Sequence, residues 1–357
     1  MRILVRAPNW IGDQVLAFPF FYFLRKAFPG AHIASACVPW VEGLQFRNLV
    51  DEVITLPRPA RAGFFSKLKN MDAGALLARA RGPWDFGISL PNSFSAAWFL
   101  KRAGALRRRG YGVEGRGILL SEPVGWDPDP DRHRAQAYVD LLAPDFKSRR
   151  PVKEFWDQTP ANELDDPVKG EMSMFDAVAA WPCDDILEPP KSPYWVLAPG
   201  ATADSRRWGL ERFARLAKII SQQTGLEGVI VGGPAEARAS VELSEDPSLR
   251  LTDCVAHCPV QGLWKIFGGA KFTVTNESGL SHVAALCGSP VQIVCGAADP
   301  KRTRPLGPGR VRVVFNPVDC WPCERNICTE PPAGQLRCLR GIEPDAVWEE
   351  IKSVARV

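Results

Sequence analysis

The first half of the chain alternates short apolar runs with longer segments in which apolar residues recur at helical spacing. Residues 2–6 form an apolar run typical of a buried strand, and residues 12–27 place Leu16, Phe20 and Leu24 on one face, as an amphipathic helix does. The same reasoning predicts further strands at 31–37, 52–55 and 85–89, and further helices at 41–47, 64–81, 93–103 and 131–143. Strands that alternate with helices in this way predict a parallel sheet covered on both faces.

The second half of the chain repeats this alternation after an irregular segment. Residues 151–192 are rich in proline and acidic residues and show little periodicity beyond one helix near 172–181. Strands are then predicted at 194–198, 228–231, 271–275 and 291–295, and helices at 210–223, 260–268 and 279–287. The last residues place Val347 and Ile351 on one face of a terminal amphipathic helix.

Together these patterns predict an α/β protein of two Rossmann-like domains. The N-terminal domain spans 1–150, a connecting region 151–192, the C-terminal domain 193–340 and a terminal helix 341–357. Sheets of this kind bind ligands at the carboxyl ends of their strands, in a crevice. We therefore expect a ligand crevice between the two domains, lined by the loops that follow the strands.

The composition is that of a folded protein. Hydrophobic residues make up 46% of the 357 residues and charged residues 24%. The chain has no uninterrupted apolar run of about 18 residues, the length that a membrane-spanning helix needs. It also does not open with the charged and apolar regions of a secretion signal, so we expect a cytoplasmic protein.

The positive charge is concentrated in the first half. Residues 1–150 hold 22 Lys and Arg against 13 Asp and Glu, whereas residues 151–357 hold 22 against 27. An uneven distribution of this kind suits an anionic partner, and phosphorylated lipid, a membrane surface and nucleic acid all fit it. A solvated basic face is the alternative explanation.

Chemistry-bearing residues first occur in the loop that joins the first predicted strand to the first helix. This loop, Arg6-Ala7-Pro8-Asn9-Trp10-Ile11-Gly12-Asp13, has a glycine that permits close approach of a ligand to the backbone. Asp13 falls in the opening turn of the helix, where a carboxylate could accept the proton of a sugar hydroxyl. Alternatively, Asp13 only complements the helix dipole.

Two loops of the second half have features of an anion site. The segment from Ala198 to Trp208 offers hydroxyls at Thr202 and Ser205 and two arginines, a set that fits a diphosphate, although an ordinary capped loop is also consistent with it. The segment from Thr275 to Ala285 places a strand end before a helix start, where free N–H groups and the helix dipole attract anions.

In that second segment, Gly279 leaves the approach to the helix unobstructed and His282 sits one turn inside it. His282 could point at bound phosphates or be a structural residue. A further segment, Gly232-Gly233-Pro234-Ala235-Glu236, follows a predicted strand and resembles the way Rossmann folds hold a ribose, but it is not a GxGxxG motif.

In combination, these segments resemble a known family. The order N-W-I-G-D, P-G-A followed by R-R-W, G-G-P-A-E, and N-E-S-G-L-S-H-V-A-A resembles glycosyltransferase family 9, the ADP-heptose:lipopolysaccharide heptosyltransferases. The opening P-N-W-I-G-D is more similar to the heptosyltransferase II branch than to the I branch. The resemblance extends from Met1 to the final helix and is loose across 151–192.

The resemblance implies a GT-B fold whose N-terminal domain binds the acceptor and whose C-terminal domain binds ADP-heptose. It implies an inverting transfer that needs no bound metal or other cofactor. Asp13 would then be the general base and Arg206 the cation that stabilises the diphosphate. The implied donor-binding residues are Thr202, Glu236, Glu277, Ser278, Gly279, Leu280 and His282. Arg206 replaces the lysine usual in the family, and Glu277 the usual aspartate, so a different donor sugar remains an alternative.

The implied acceptor, a Kdo- or heptose-bearing lipid A core, is strongly anionic, which gives the basic first half a function. Asn9, Gly12, Arg58 and Arg61 are the candidate acceptor-binding residues. Further basic residues that could line the acceptor or face the inner leaflet of the membrane are Lys101, Arg102, Arg107, Arg108, Arg109 and Arg116. Each of them could instead be simply solvated.

Four of the ten cysteines form a cluster near the C-terminus. Cys320, Cys323, Cys328 and Cys338 have a spacing that could hold a structural zinc ion, but free thiols fit as well. An iron–sulfur cluster does not match the spacing, and disulfides are not expected in a cytoplasm. The transfer reaction does not require this cluster.

Other classes of protein fit the sequence less well. A family member with another nucleotide sugar or glycan acceptor, or a non-catalytic nucleotide-binding protein of the same fold, remains an alternative. A dinucleotide-dependent dehydrogenase is not indicated, since neither half opens with GxGxxG. No nucleic-acid recognition motif accompanies the basic charge, so nucleic acid is not an expected partner.

Overall fold

The computed structural model describes residues 1–58, 64–126, 132–145, 181 and 183–355. The chain divides into two compact units, Met1–Phe155 and Trp156–Val357. Most of the predicted connecting region 151–192 lies outside the described residues. The domain boundaries given above therefore stay predictions.

The first unit contains one parallel six-stranded sheet. Its strands are β1 (Arg2–Arg6), β2 (His32–Cys37), β3 (Glu52–Thr55), β4 (Phe86–Ser89), β5 (Arg107–Tyr111) and β6 (Glu122–Val124), in the order β3-β2-β1-β4-β5-β6. Its helices are α1 (Ile11–Leu16), α2 (Phe18–Ala27), α3 (Phe64–Ala80), α4 (Phe94–Arg102) and α5 (Arg134–Val139). Short 3₁₀ helices span Pro39–Leu44, Arg116–Leu119 and Asp140–Asp145.

The core of this unit explains why β1 is its central strand. Ile3, Leu4 and Val5 are fully buried, as expected of a parallel strand covered on both faces. On α2, Phe18 packs edge-on against Phe46 with ring centroids 5.2 Å apart. The carboxyl end of β1, which carries the first candidate loop, is therefore attached to the most buried part of the unit.

The second unit has a sheet of the same design. Its strands are β7 (Tyr194–Ala198), β8 (Glu227–Ile230), β9 (Leu251–Asp253), β10 (Thr273–Asn276), β11 (Val291–Cys295) and β12 (Val311–Phe315), all parallel, in the order β12-β11-β10-β7-β8-β9. Its helices are α6 (Leu210–Thr224), α7 (Ala237–Ser244), α8 (Trp264–Gly269), α9 (Gly279–Leu286), α10 (Pro300–Thr303), α11 (Arg337–Arg340) and α12 (Pro344–Ala355). Short 3₁₀ helices span Asp204–Arg206, Pro234–Glu236, Pro247–Leu249 and Val260–Leu263.

The C-terminal helix α12 is part of this second core. Val347 and Ile351 are fully buried and belong to the same apolar cluster as Trp195 and Phe213. Trp208, just before α6, donates its indole N–H to the carbonyl of Ile342 at 3.0 Å. The predicted amphipathic face of the terminal helix therefore packs on the sheet that carries the second group of candidate loops.

The predicted α/β class is confirmed, with two parallel sheets of six strands each. The predicted helix 12–27 is two helices, because Pro19 has no N–H to continue the first one and Ala17 separates them. Strands β5, β6, β9 and β12 were not predicted. Within the described residues, no helix combines the length and the apolar character needed to cross a bilayer.

Candidate active site

A buried cation holds the loop that follows β1. The guanidinium of Arg6 donates to the carbonyls of Ala7 at 2.5 Å and Ala36 at 3.3 Å, and to the amide oxygen of Asn9 at 2.6 Å. Burial lowers the pKa of Arg6 to about 10. The side-chain oxygen of Asn9 accepts this bond from Arg6 and so helps to fix the loop, while its predicted contact with acceptor stays a prediction.

Asp13 lies in the first turn of α1, which begins directly after that loop. Its negative charge contributes to the environment of Tyr138 on α5. Burial, which has the larger effect, and the charge of Asp13 raise the pKa of Tyr138 well above its usual value. A hydrogen bond with Arg134 acts in the opposite direction and lowers this pKa. The candidate base therefore lies near a buried phenol, and that phenol bonds an arginine.

Sequence reasoning missed Tyr138, which the charge of Asp13 reaches, and Arg134, which bonds Tyr138. Arg134 and Tyr138 come from a helix more than 120 positions further along the chain, and no motif marks them. Only the packing of α5 beside α1 brings Tyr138, with Arg134 bonded to it, near the base.

In the second unit, an ion pair joins two candidate loops. The guanidinium of Arg206 lies 3.0 Å from the carboxylate of Glu277, whose side chain is 8% exposed, against 31% for Arg206. The resemblance described above implies a lysine at position 206 and an aspartate at position 277 instead. The structure thus shows that the two departures contact each other, so the larger cation is matched by the longer carboxylate.

The neighbouring Asn276 fixes the loop that carries Arg206. This fully buried amide donates to the carbonyl of Pro199 at 2.5 Å and accepts the backbone N–H of Trp208 at 3.0 Å. One side chain therefore holds both ends of the loop between β7 and α6. Asn276 was part of the motif noted in the sequence, but its function there was not foreseen.

Two other residues of this loop are used to hold it together. Ser205 donates its hydroxyl to the carbonyl of Arg325 and its backbone N–H bonds the carbonyl of Asn326 at 3.2 Å. Arg207 donates to the carbonyl of Ala201 at 2.7 Å and so folds back on the loop. Four hydroxyls and arginines of this loop were considered for phosphate binding. Thr202 is exposed and Arg206 is part-exposed, whereas Ser205 and Arg207 form hydrogen bonds that hold the loop.

Glu236 connects a third loop to this one. Its carboxylate accepts the backbone N–H of Gly233 at 2.9 Å. The side chain also lies directly over Gly200, where an added Cβ would be 2.7 Å from the Glu236 carboxyl carbon. The glycine of P-G-A is thus required for the close approach of the acid of G-G-P-A-E.

The amino end of α9 completes this group. Ser278 precedes the helix with an extended backbone, and Gly279 and Leu280 are partly exposed at its first turn. Among the described residues, the buried Ser278 Oγ and Arg206 Nε have no hydrogen-bond partner. Such polar atoms normally bind something, so they mark this helix start as a place for a polar ligand. His282 lies one turn further and is 4% exposed.

Comparison with known proteins gives this arrangement a family. The model of glycosyltransferase family 9 (heptosyltransferase) matches residues 76–333. The chain belongs to glycosyltransferase family 9. It is 28% identical to lipopolysaccharide heptosyltransferase 2 of Salmonella typhimurium over 99% of this chain and 98% of that protein. It is 26% identical to lipopolysaccharide heptosyltransferase 2 of Escherichia coli over 99% and 98%.

Solved structures show the same fold. The structure of E. coli ADP-heptose lps heptosyltransferase II has a TM-score of 0.71 and 21% identity, with 100% of this chain and 99% of that chain covered. A family 9 glycosyl transferase from Veillonella parvula has a TM-score of 0.73 and 18% identity, with 99% and 97% covered. The protein is therefore a glycosyltransferase with the fold of its family.

The basic residues of the first unit of this family 9 protein are largely paired. Arg102 lies 3.0 Å from Asp72, and both Arg107 and Arg109 bind Glu122 at 2.5 and 2.7 Å. Buried Arg116 donates to the carbonyl of Tyr111, and Arg108 to that of Leu119. Arg102 thus links α4 to α3, and the other four arginines make contacts around β5 and β6.

The remaining candidates for acceptor binding differ in whether the structure describes them and in their exposure. Lys101 and Arg58 are exposed, whereas Arg61 lies outside the described residues. Gly12 is in the first turn of α1, immediately before Asp13.

All ten cysteines are free thiols in this structure. Cys338 is close enough to Cys320, Cys323 and Cys328 for their charges to add to burial in raising its pKa. Among the described residues, however, no three His, Cys, Asp or Glu side chains are placed to hold a metal ion. The structure thus gives the zinc interpretation no support.

Proposed function

We propose that this family 9 glycosyltransferase transfers heptose from ADP-heptose to the inner core of lipopolysaccharide, on an acceptor that already carries the first heptose. The observation that carries the proposal is the Arg206–Glu277 ion pair beside the amino end of α9, where three loops of the second unit meet. The specific donor and acceptor are supported by similarity over nearly the whole chain to heptosyltransferase 2 proteins.

The second unit binds the donor in this proposal. The diphosphate lies at the amino end of α9, where backbone N–H groups and the Ser278 hydroxyl donate to it. Thr202 contacts a phosphate, and Glu236 binds the ribose. Leu280 and His282 contact the donor near its sugar. Arg206 stabilises the negative charge that develops on the leaving ADP, and Glu277 holds Arg206 in place.

The first unit supplies the base. Asp13 accepts the proton of the acceptor hydroxyl as that oxygen forms a bond to the anomeric carbon of heptose. The bond between this carbon and the phosphate oxygen breaks, and the electron pair leaves with ADP. Attack from the face opposite the leaving group inverts the anomeric centre. Arg206, the helix N–H groups and the Ser278 hydroxyl stabilise the leaving group in this proposal, so transfer needs no bound metal ion.

The acceptor is anionic and embedded in a membrane. We propose that the protein acts in the cytoplasm, at the inner face of the membrane, without spanning it. Exposed Arg58, together with Arg61 and Lys101, contributes positive charge towards the phosphates and carboxylates of the acceptor or the anionic leaflet.

Transfer from ADP-heptose to Kdo-lipid A, with and without the first heptose attached, tests the function. Wild-type protein and Asp13→Asn are compared in the presence and absence of EDTA. The proposal expects turnover only on the heptosylated acceptor, unchanged by EDTA and lost in the variant. Turnover only on the unheptosylated acceptor would move the protein to the first step. Binding of ADP without any turnover would sink the heptosyltransferase assignment and leave another substrate pair or a binding protein.

A further inference from the structure

The exposed aromatic side chains of the first unit share one edge of its sheet. Among the side chains of this unit that the structure describes, four aromatic ones are exposed: Trp10 at 61%, Phe94 at 50%, Trp40 at 48% and Trp126 at 37%. Each follows the carboxyl end of a strand, namely β1, β4, β2 and β6. Exposed aliphatic residues Leu106 and Ile118, by contrast, precede the amino ends of β5 and β6.

Three of the four follow neighbouring strands. Strands β2, β1 and β4 are adjacent in the sheet, so Trp40, Trp10 and Phe94 lie on one continuous stretch of its carboxyl edge. We name these three residues the aromatic rim. With strands about 4.8 Å apart, the strands that it follows span about 10 Å. Asp13 is on the same edge, three residues after Trp10.

The rim is attached to ordered parts of the structure. Trp40 donates its indole N–H to the carbonyl of Asn9 at 2.6 Å, and Asn9 is bound to buried Arg6. Trp10 is the N-cap residue of α1. Phe94 begins α4, whose N-cap Ser93 accepts the backbone N–H of Ala96 at 3.2 Å. The ring of Trp40 is therefore held by a hydrogen bond, and the backbones of Trp10 and Phe94 are fixed at helix starts.

Exposed aromatic residues grouped on the edge that carries the candidate base Asp13 mark this edge as a candidate binding site, because exposed apolar surface of this kind usually marks one. The rim segments 7–10, 38–40 and 90–95 contain no lysine or arginine. A surface that docks on an anionic leaflet combines aromatic residues with basic ones, so a membrane is not the favoured occupant.

The polar groups between the rings suit a sugar. Asn92 is exposed, and the hydroxyls of Ser93 and Ser95 lie 3.0 Å apart beside Phe94. A pyranose ring has C–H groups on its faces, which pack against an aromatic face, and hydroxyls around its edge, which bind amides and serines. The alternation of aromatic and neutral polar side chains matches that chemistry.

We infer that the aromatic rim is the platform on which sugar rings of the acceptor stack, and that it places the attacking hydroxyl at Asp13. The inference rests on the proposed transfer function, and it assigns acceptor recognition to Trp10, Trp40 and Phe94. Trp126 is outside the rim, since it packs edge-on against Tyr111 at 4.9 Å under the guanidinium of Arg132.

Steady-state kinetics of single variants test the rim. Trp40→Ala, Trp10→Ala and Phe94→Ala are each expected to raise the KM for acceptor about 5- to 10-fold, the loss of one aromatic contact of roughly 1 kcal/mol. The KM for ADP-heptose should change less than about twofold. Trp10→Phe keeps a ring and should recover most of the loss. Leu106→Ala, which removes an equally exposed apolar side chain at the opposite edge, is the control.

The kind of occupant is tested with two acceptors, the intact lipid-bearing core and the core oligosaccharide freed of lipid. The inference expects the same increase in KM with both. An increase confined to the lipid-bearing acceptor in vesicles would mean that the rim contacts lipid and would overturn the inference, as would unchanged kinetics in all three alanine variants.

Direct binding separates this inference from the proposed function. If wild-type protein shows no transfer, titration calorimetry with the lipid-free oligosaccharide still compares wild type with Trp40→Ala. Weaker binding by the variant would support the rim without the proposed reaction. Equal binding, or none to either protein, would reject the rim as a saccharide site.

Discussion

Removal of the Asn276 amide should damage both the stability of the second unit and catalysis. Asn276→Ala leaves the Pro199 carbonyl and the Trp208 N–H, both bound at 3.0 Å or less, without their partner in a buried position. Each buried group that loses its hydrogen bond costs about 1–3 kcal/mol. We expect a loss of about 2–4 kcal/mol, reduced if water enters the space.

The kinetic effect follows from the position of the loop. Pro199 and Trp208 border the segment that carries Arg206, and a displacement of about 1 Å at a reacting group can lower a rate about 100-fold. The variant should therefore lose most of its kcat while its KM for acceptor stays the same. Asn276→Asp should be at least as damaging at neutral pH, because a carboxylate oxygen would then face the Pro199 carbonyl.

Urea unfolding followed through ADP binding measures the stability, and steady-state transfer measures the rate. A loss of 2–4 kcal/mol corresponds to a midpoint shift of about 1 M urea or more. Thr273→Val is the matched control. It removes one buried hydrogen bond, to Ser289 at 2.8 Å, from the same strand at its opposite end, so it should cost about 1 kcal/mol and leave kcat unchanged. If Asn276→Ala matched this control in both assays, the reasoning about the loop would be refuted.

Three further predictions concern other parts of the molecule. Arg206→Lys and Glu277→Asp should each lower kcat, and a double-mutant cycle should give a coupling of about 0.5–3 kcal/mol, whereas additive effects would contradict a functional ion pair. Gly200→Ala should push the Glu236 side chain aside and weaken ADP binding several-fold in calorimetry, with little change in the free energy of unfolding. An unchanged affinity for ADP would argue against Glu236 as a donor contact. Burial raises the pKa of Cys37 to about 12, so its unfolded thiol ionises first. Its contribution to stability is then complete below about pH 9 and declines by up to about 1.4 kcal/mol per pH unit towards pH 12, measurable as unfolding free energy in Cys37→Ala against wild type.

Much of the candidate site could be located from sequence because it lies in loops that follow apolar runs. The predicted strands 2–6, 194–198 and 271–275 correspond to β1, β7 and β10, and each is followed by a loop with glycine and polar residues. Parallel strands bring such loops to one edge of their sheet, so their position after predicted strands was enough to name these loops as candidates.

Strand β5 shows where local pattern was insufficient. Its sequence Arg107-Arg108-Arg109-Gly110-Tyr111 has no apolar alternation, and it was read as a basic patch. In the structure, Glu122 of β6 forms ion pairs with two of these arginines, and the ring of Phe86 lies against both of their guanidinium groups at 4.5 and 4.6 Å. Residues on the neighbouring strands β4 and β6 therefore stabilise β5 in the sheet.

The sequence by itself determined the α/β class and the strands that bear the candidate loops, whereas the roles of a base, a cation and a phosphate-binding helix start stay predictions. It did so because apolar periodicity, proline and glycine act over a few neighbouring residues. Only the tertiary structure decided which side chains bind each other. Asn9 accepts a hydrogen bond from Arg6, and Arg206 forms an ion pair with Glu277. Asn276 binds both ends of the loop between Pro199 and Trp208. Most of these contacts join residues about 70 or more positions apart. The exception, Arg6 with Asn9, depends on the burial of Arg6 within the sheet. Hydrogen bonds and ion pairs of this kind depend on which strands become neighbours, and no local pattern contains that information.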